Sequence, residues 1–221
     1  MMKNKIKAAV AVVLAAGMIA SSMTVFAFTD VNKGNWAEAP ITALSNAGYV
    51  NGYTDGSFRP DDCITRAEFV TIINNIKGNT AVSEKAFSDL ANSAWYYDSI
   101  GKAVAAGYIA GYDDNTVRPD DYITREEACV IAYRAWNLTP SGKVNFVDSN
   151  EIGAWSKAQV ATLVNKKIIN GYEDGSFRPA GYMSRAEVAK MLYCLIGMDN
   201  NIAKTTSTDK KGVIGGTLIV H

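Results

Sequence analysis

The sequence predicts an all-α fold in which three helix-loop-helix repeats pack into one body. Three similar stretches begin at Phe28, Phe87 and Phe146, so the copies start 59 residues apart. Within each copy, two segments keep the apolar spacing of amphipathic helices and are separated by turn-forming residues. One helical hairpin of this length buries too little apolar surface to fold alone, so the three copies should share one core.

The first 27 residues have the pattern of a secretory signal peptide. A basic start, "MMKNKIK", is followed by the apolar run "AAVAVVLAAGMIA" and by Val25 and Ala27 at the small-residue cleavage positions. This run of 13 residues is short against the ~20 residues that span a bilayer. We therefore predict cleavage after Ala27 and a secreted chain. The alternative is an uncleaved membrane anchor.

Cleavage would leave a weakly acidic chain. The sequence has 22 basic and 22 acidic residues, and loss of Lys3, Lys5 and Lys7 leaves 19 basic residues and a formal net charge of −3. Nucleic-acid binding requires a basic face, which this balance argues against. No segment after residue 27 is long and apolar enough to cross a membrane. Any anion binding must therefore depend on local pockets.

The first helix of each repeat is predicted from runs such as residues 36–47, in which apolar residues recur at helical spacing. Pro40 is compatible with this helix only if it lies near the first turn. Gly48 suits the left-handed position that closes a helix. Lys167 occupies the equivalent place in the third repeat, so we expect the first helix there to end differently.

The second helix of each repeat is predicted to follow the turn-rich loop, beginning at the segments "ITRAE", "ITREE" and "MSRAE". A Ser or Thr followed three residues later by Glu forms a capping box. In it, the hydroxyl accepts from the N3 N–H and the Glu accepts from the N-cap N–H. This structural role needs no ligand. The predicted boxes are Thr65 with Glu68, Thr124 with Glu127 and Ser184 with Glu187.

These patterns divide the chain into a signal peptide (1–27), three repeats (28–86, 87–145 and 146–197) and a C-terminal tail (198–221). The helical pattern stops after Met198. The stretch "DNNIAKTTSTDKK" is polar and is expected to be mobile. The final apolar stretch "GVIGGTLIV" fits no repeat.

The three cysteines, Cys63, Cys129 and Cys194, fall at different places within the repeats. They lack CxxC spacing and neighbouring histidines, which disfavours a zinc site. We favour three buried thiols that act as small apolar residues. The alternative after export is one disulfide with one free thiol. We predict neither a metal nor a cofactor.

An arginine follows the N-cap of each second helix: Arg66, Arg125 and Arg185. A cation at this position is unfavourable by ~0.3–1 kcal/mol, because a helix N-terminus carries partial positive charge. One explanation is an anion site, in which free N–H groups of the helix start and a guanidinium together bind a carboxylate. The other explanation is a repeated ion pair within the protein.

Two further residue types recur at fixed places. A tryptophan lies at the predicted start of each first helix: Trp36, Trp95 and Trp155. A repeated tryptophan most often lies in the core, but a half-exposed indole beside an arginine would form the floor of a sugar site. An aspartate lies two residues after each opening Phe: Asp30, Asp89 and Asp148. These carboxylates would accept hydroxyl protons from a sugar or, alternatively, serve in turns or as N-caps.

The ordered combination F-x-D, then W, then GY-x-DG-x-F-x-P, then [IM]-[ST]-R-x-E, three times after a signal peptide, resembles the S-layer homology (SLH) domains of bacterial surface proteins. The resemblance extends from residue 28 to about residue 197. It implies an all-helical pseudo-threefold body with grooves between repeats, which tethers a secreted protein noncovalently to the cell wall and is not an enzyme.

The resemblance also implies a ligand. SLH domains usually bind a secondary wall polysaccharide, often one with ketal-linked pyruvate on an N-acetylmannosamine unit. The arginine of the TRAE-like motif typically meets the pyruvate carboxylate. By this resemblance the role falls on Arg66, Arg125 and Arg185, and the chain is expected at the cell surface.

The repeats differ at the predicted sites. Repeat two has "DNTV" where the others have "DGSF", and Glu126 replaces an alanine beside Arg125, where it could pair with that arginine. Repeat three has Ala180 and Gly181 where the others have two aspartates. We therefore expect unequal grooves, with the first binding best.

Three other functions fit less of the sequence. The acid-rich loops "YTDGSFRPDD" and "YDDNTVRPDD" lack the alternating acids and closing Glu of an EF-hand, which disfavours a calcium module. A secreted glycosidase would need two carboxylates facing one bond, whereas the acids here are distributed by repeat, and the only histidine is His221. A connector between envelope proteins, or a peptidoglycan binder, is the third alternative.

Overall fold

The computed structural model describes residues 28–209, with side chains described through residue 197. The predicted signal peptide and residues 210–221 lie outside this range. The described part contains six α-helices and no β-strand, which confirms the predicted all-α class. None of these helices combines the length and the apolar composition needed to cross a membrane. The helices are α1 (Glu38–Asn46), α2 (Arg66–Lys77), α3 (Tyr97–Ala105), α4 (Arg125–Ala135), α5 (Lys157–Asn165) and α6 (Arg185–Asp209).

The main helix pairs join neighbouring repeats. The second helix of one repeat packs on the first helix of the next, so α2 pairs with α3 and α4 with α5. The third pair, α6 with α1, brings the last repeat back to the first. Three equivalent helix pairs therefore form a closed pseudo-threefold body.

A ring of backbone hydrogen bonds lies where the three repeats meet. The N–H of Ile64 donates to the carbonyl of Met183 (3.1 Å), that of Met183 to Ile123 (3.0 Å), and that of Ile123 to Ile64 (3.1 Å). All three side chains are buried. Each residue directly precedes the N-cap of a second helix, so the ring fixes the three helix starts around a common axis.

The core is one continuous cluster with members from all three repeats. Phe58 and Phe177, from the "DGSF" loops, are buried, and so is Val117, which replaces them in repeat two. Full burial of such a side chain contributes ~1.5–3 kcal/mol. The loops between the helices are therefore anchored by the same core as the helices.

The helix ends follow the predicted chemistry with one exception. Both halves of the capping box are present at Thr65 and Thr124. Pro40 lies in the first turn of α1, and Gly48 has the left-handed φ of 72°. Lys167 adopts the same conformation, with a φ of 58°, so the expectation of a different helix end in repeat three is wrong. The shared packing requires the turn even from a residue that adopts it at some cost.

The end of the third repeat differs from the expected polar tail, because α6 continues unbroken to Asp209. Gly78 closes α2 in the left-handed conformation. Gly197 occupies the equivalent place in the sequence but lies inside α6.

The cysteines are all free, and only Cys129 is fully buried. Burial raises the pKa of its thiol to about 12. Cys194 is half-buried and Cys63 is exposed. The expectation of three buried thiols is therefore wrong for Cys63, which lies on the surface near the ends of the loops.

Candidate functional site

The three repeated arginines connect each second helix to the next repeat. Arg66 and Arg125 are only 6% and 3% exposed, and Arg185 is half-buried. In every case the Nε donates to a buried loop carbonyl: Arg66 to Val117 (3.1 Å), Arg125 to Phe177 (2.8 Å) and Arg185 to Phe58 (2.9 Å). Each guanidinium therefore has a structural contact that the motif alone did not indicate.

The backbone N–H groups at these helix starts are already bonded. The N–H of Arg66 donates to Asp121 and that of Ala67 to Pro119, both at 2.9 Å, and the third N–H donates to the capping Thr65. The other two second helices have equivalent bonds. The expectation of free N–H groups that await an anion is therefore wrong, because the loop of the next repeat folds over each helix start.

The three arginines differ in whether, and how closely, a carboxylate pairs with them. Nη1 of Arg125 lies 2.9 Å from Glu187, and its Nη2 donates to the carbonyl of Asn170 at 2.9 Å. Nη1 of Arg66 lies 3.3 Å from Glu127. The Arg185 guanidinium has no carboxylate within 4.0 Å among the described residues, and its Nη2 donates to a backbone carbonyl. Two of the three predicted anion sites are thus neutralised by the capping glutamate of the next repeat.

Glu126 does not pair with Arg125, contrary to the expectation from its position in the sequence. Its carboxylate accepts from the N–H of Gly153 at 3.0 Å and from the hydroxyl of Ser156 at 2.6 Å. These contacts attach α4 to the chain that precedes α5. The arginine next to it instead turns toward the following repeat.

Each tyrosine of the repeated Gly-Tyr pair contacts two guanidinium groups through its ring. The ring centroid of Tyr112 lies 4.0 Å from the guanidinium carbon of Arg118 and 5.0 Å from that of Arg66. The same arrangement surrounds Tyr53 and Tyr172. This role was not predicted from the sequence, although the repetition of the Gly-Tyr pair was the available signal.

Tyr112 also completes the environment of the ion pair. Its hydroxyl donates to Glu127. Burial is the larger cause and this bond the smaller cause that together raise the pKa of Tyr112 to about 12. Burial acts to raise the pKa of Glu127, but the bonds from Tyr112 and Thr124 and the charge of Arg66 outweigh it, so the pKa lies below its ordinary value. Glu127 is therefore ionised at neutral pH.

The repeated aspartates attach the start of each repeat to its loop. The carboxylate of Asp30 accepts from the N–H groups of Phe58 (2.8 Å) and Arg59 (2.7 Å). Asp89 and Asp148 make the equivalent bonds in their repeats. This geometry favours the turn role that the sequence left open. It also supports the left-handed conformation of Arg59, whose φ is 57°.

The loop acids make contacts within their own turns. Asp55 accepts from the N–H and hydroxyl of Ser57 and from Arg59, and these bonds lower its pKa to about 2. Among residues 28–209, no group of three or more His, Cys, Asp or Glu residues is arranged to hold a metal ion.

The repeated tryptophans are exposed, so the core interpretation is wrong. Trp36, Trp95 and Trp155 are 59%, 64% and 56% exposed. Trp155 lines an open groove of about 590 Å³ together with Arg66, Tyr112 and Glu127. Arg66, Tyr112 and Trp155 come from repeats one, two and three. The sequence suggested an exposed indole beside an arginine without saying which repeats supply them, and the folded groove combines residues from all three.

Comparison with known protein families matches the S-layer homology domain at residues 27–70, 86–129 and 145–189. The chain belongs to the S-layer homology domain family. The three matches confirm the three tandem SLH repeats, and the resemblance inferred from the motifs is correct.

Several relatives share this part of the chain. It is 38% identical to "Exoglucanase XynX" of Acetivibrio thermocellus over 84% of this chain and 17% of that protein. It is 33% identical to "Cellulosome-anchoring protein" of the same species over 66% of this chain and 35% of the relative. It is 29% identical to "S-layer protein EA1" of Bacillus anthracis over 86% of this chain and 23% of the relative.

The chain thus spans only a minor part of the length of these relatives. The SLH domain is a binding and anchoring module, and the relative named as an exoglucanase matches over a small part of its length. The family and these relatives support a cell-surface or cell-wall location for the chain.

Proposed function

We propose that this chain anchors noncovalently to the bacterial cell wall by binding an acidic secondary wall polysaccharide, of which pyruvylated sugars are the charged units. Relatives named as S-layer and cellulosome-anchoring proteins support the anchoring part. The observation that carries the proposal is the groove in which Arg66, Tyr112 and Trp155 from three repeats line one cavity.

The groove suits a sugar with an acidic substituent. Its volume of about 590 Å³ is in the range of small-ligand sites. The exposed indole of Trp155 provides a flat apolar face for the C–H groups of a sugar ring. Val130 and Ile131 add apolar lining. The guanidinium of Arg66 supplies planar donors that match a carboxylate.

The three grooves are proposed to bind unequally. Arg185 has no carboxylate within 4.0 Å among the described residues, and Arg66 makes one contact of 3.3 Å to Glu127, so Arg185 is the least neutralised of the three and Arg66 the next. Arg125 is saturated by Glu187 and Asn170. The sequence favoured the first groove alone. We infer instead that the grooves of Arg66 and Arg185 together carry most of the binding. Weak sites on one body give useful avidity when two engage the same polymer.

Binding to isolated walls tests the proposal. The folded protein is incubated with native sacculi, with chemically depyruvylated sacculi and with sacculi stripped of their polysaccharide, and the bound fraction is measured. We expect binding to native sacculi and at least a tenfold loss on the other two. Equal binding to stripped sacculi would identify peptidoglycan as the partner. Equal binding to native and depyruvylated sacculi would contradict the role of pyruvate.

A matched pair of variants tests the location of the site. Trp155→Ala removes an exposed aromatic face from the groove, whereas Tyr193→Ala removes an exposed aromatic side chain that borders a different cavity. We expect Trp155→Ala to weaken wall binding several-fold with no change in melting temperature, and Tyr193→Ala to change neither. Equal effects on binding would show that the aromatic face of the groove is not used.

A further inference from the structure

A second arginine lines the same groove. Arg134 lies on α4, is exposed, and borders the cavity together with Arg66 and Trp155. Its guanidinium forms no ion pair or hydrogen bond with the described residues, whereas Arg66 is buried and paired with Glu127. Of the two cations in this groove, Arg134 is therefore the more available to an arriving anion.

Arg134 belongs to this groove alone. The equivalent positions on the other two second helices are Asn75 on α2 and Cys194 on α6. Neither carries a charge that would bind an anion, so the three grooves differ in chemistry at the same place. The groove also contains the exposed carboxylate of Asp113, and the charge of Arg134 offsets it.

The position of Arg134 indicates what it would recognise. It follows Glu127, the partner of Arg66, by seven residues on α4. Seven residues are about two helical turns, so both side chains share one face and are ~10 Å apart along the axis. Arg134 therefore lies about two turns farther along α4 than the carboxylate that pairs with Arg66, so the two arginines offer anion contacts at different places along the groove.

We propose that Arg134 is a specificity-determining residue that binds a second acidic group of the polysaccharide, carried by a different sugar unit from the one bound at Arg66. This inference rests on the proposed function, because it assigns part of the ligand of the same groove. The groove then selects a polymer with repeated acidic units over an isolated acidic sugar.

Calorimetric titration of the full chain with two probes tests this inference. One probe is the acidic polysaccharide purified from the wall, and the other is pyruvylated N-acetylmannosamine as a monosaccharide. We expect Arg134→Ala to weaken polysaccharide binding about 10-fold, the value of one charged hydrogen bond, and to leave monosaccharide binding unchanged. The control is Lys143→Ala, which removes an exposed cation outside the groove. Because Arg134 is exposed and unpaired among the described residues, the melting temperature should not change.

A gain-of-function variant completes the design. Asn75→Arg installs a guanidinium at the equivalent place in the groove of Arg185, and we expect it to strengthen polysaccharide binding several-fold. If Arg134→Ala binds the polysaccharide like Lys143→Ala, or loses both probes equally, the inference is overturned while the proposed function stands. If the wild-type chain binds neither probe, the proposed function itself fails.

Discussion

The surroundings of Arg125 and Arg185 differ, although the same motif contributes both. Arg125 is almost fully buried, lies 2.9 Å from Glu187 and donates to two loop carbonyls. Arg185 is half-buried, donates to two carbonyls and has no carboxylate within 4.0 Å among the described residues. One motif therefore gives a buried structural ion pair at one contact between repeats and, among the described residues, a half-buried arginine without an ion pair at another.

The difference arises from the capping glutamate of the repeat that faces each arginine. Glu187 accepts from both Arg125 and Tyr172. The equivalent Glu68 keeps its capping bonds to Thr65, but no bond joins it to Arg185 or Tyr53 among the described residues. Tyr53 is also 38% exposed. The contact between the first and last repeats is thus the least saturated of the three, and its arginine has no carboxylate partner among the described residues.

Replacing Arg125 and Arg185 one at a time should reveal the largest difference between the two contacts. We expect Arg125→Ala to lower the free energy of unfolding by about 3–5 kcal/mol, because it leaves a partly buried carboxylate and two carbonyls without their partner. Arg185→Ala removes hydrogen bonds to two carbonyls and the contacts with the Tyr53 and Phe58 rings but no ion pair, and should cost about 1–2 kcal/mol. Denaturant unfolding of both variants measures the difference.

Arg118→Ala is the control for that measurement. It removes a guanidinium paired with Asp114 on the exposed surface, where an ion pair contributes only about 0–1 kcal/mol. Equal losses for Arg125→Ala and Arg185→Ala would mean that the two grooves are energetically alike, and would contradict the distinction drawn from their contacts.

Neutralising Glu127 should make the surroundings of Arg66 resemble those of Arg185, which has no ion pair among the described residues. Glu127→Gln retains an acceptor for the capping box but removes the negative charge 3.3 Å from Arg66. We expect the affinity for acidic wall polysaccharide to rise about fivefold, since about 1 kcal/mol of competing attraction is lost at a partly exposed site. Titration of the purified polysaccharide measures it. The matched variant Glu68→Gln, in the groove without an ion pair, should leave affinity unchanged, and a similar rise there would refute the explanation.

The sequence predicted the fold well because its signals are local and repeated. The capping boxes, the left-handed glycine and the apolar spacing each act over a few residues, and three copies of each made the helical hairpins evident. The resemblance of the repeated motifs to SLH domains also implied a pseudo-threefold body. Local pattern could not show that Lys167 takes a glycine's place, because packing by the whole repeat imposes that turn.

The site was harder to predict because its residues come from different repeats. The partner of Arg66 is Glu127 and its neighbouring indole is Trp155, and both lie outside the first repeat. A motif read within one copy cannot reveal which copy faces it. Arg134 was not predicted as a site residue for another reason. It departs from the repeat pattern, whereas the predicted site residues are those that all three repeats share.

Lowering the pH should have the smallest expected effect, because it removes the stabilisation that the charge of Glu127 contributes in one groove. The pKa of Glu127 is lowered in the folded chain, so the folded state binds fewer protons than the unfolded state at this site as pH falls. The stabilisation is therefore complete above the unfolded value of about 4.3 and is lost as pH falls through the lower folded value. For one partly exposed carboxylate we expect at most about 1 kcal/mol.

Unfolding of the wild type and of Glu127→Gln between pH 6 and pH 3 isolates this contribution. Exposed loop acids such as Asp55, whose pKa is also lowered, titrate identically in both proteins and cancel in the difference. We expect the stability gap between wild type and variant to be constant at the upper end and to narrow below about pH 4. A gap that stays constant throughout would mean that the Glu127 carboxylate contributes nothing through its charge. Arg66 would then be held by its bond to Val117 and its contact with the Tyr112 ring, without a contribution from an ion pair.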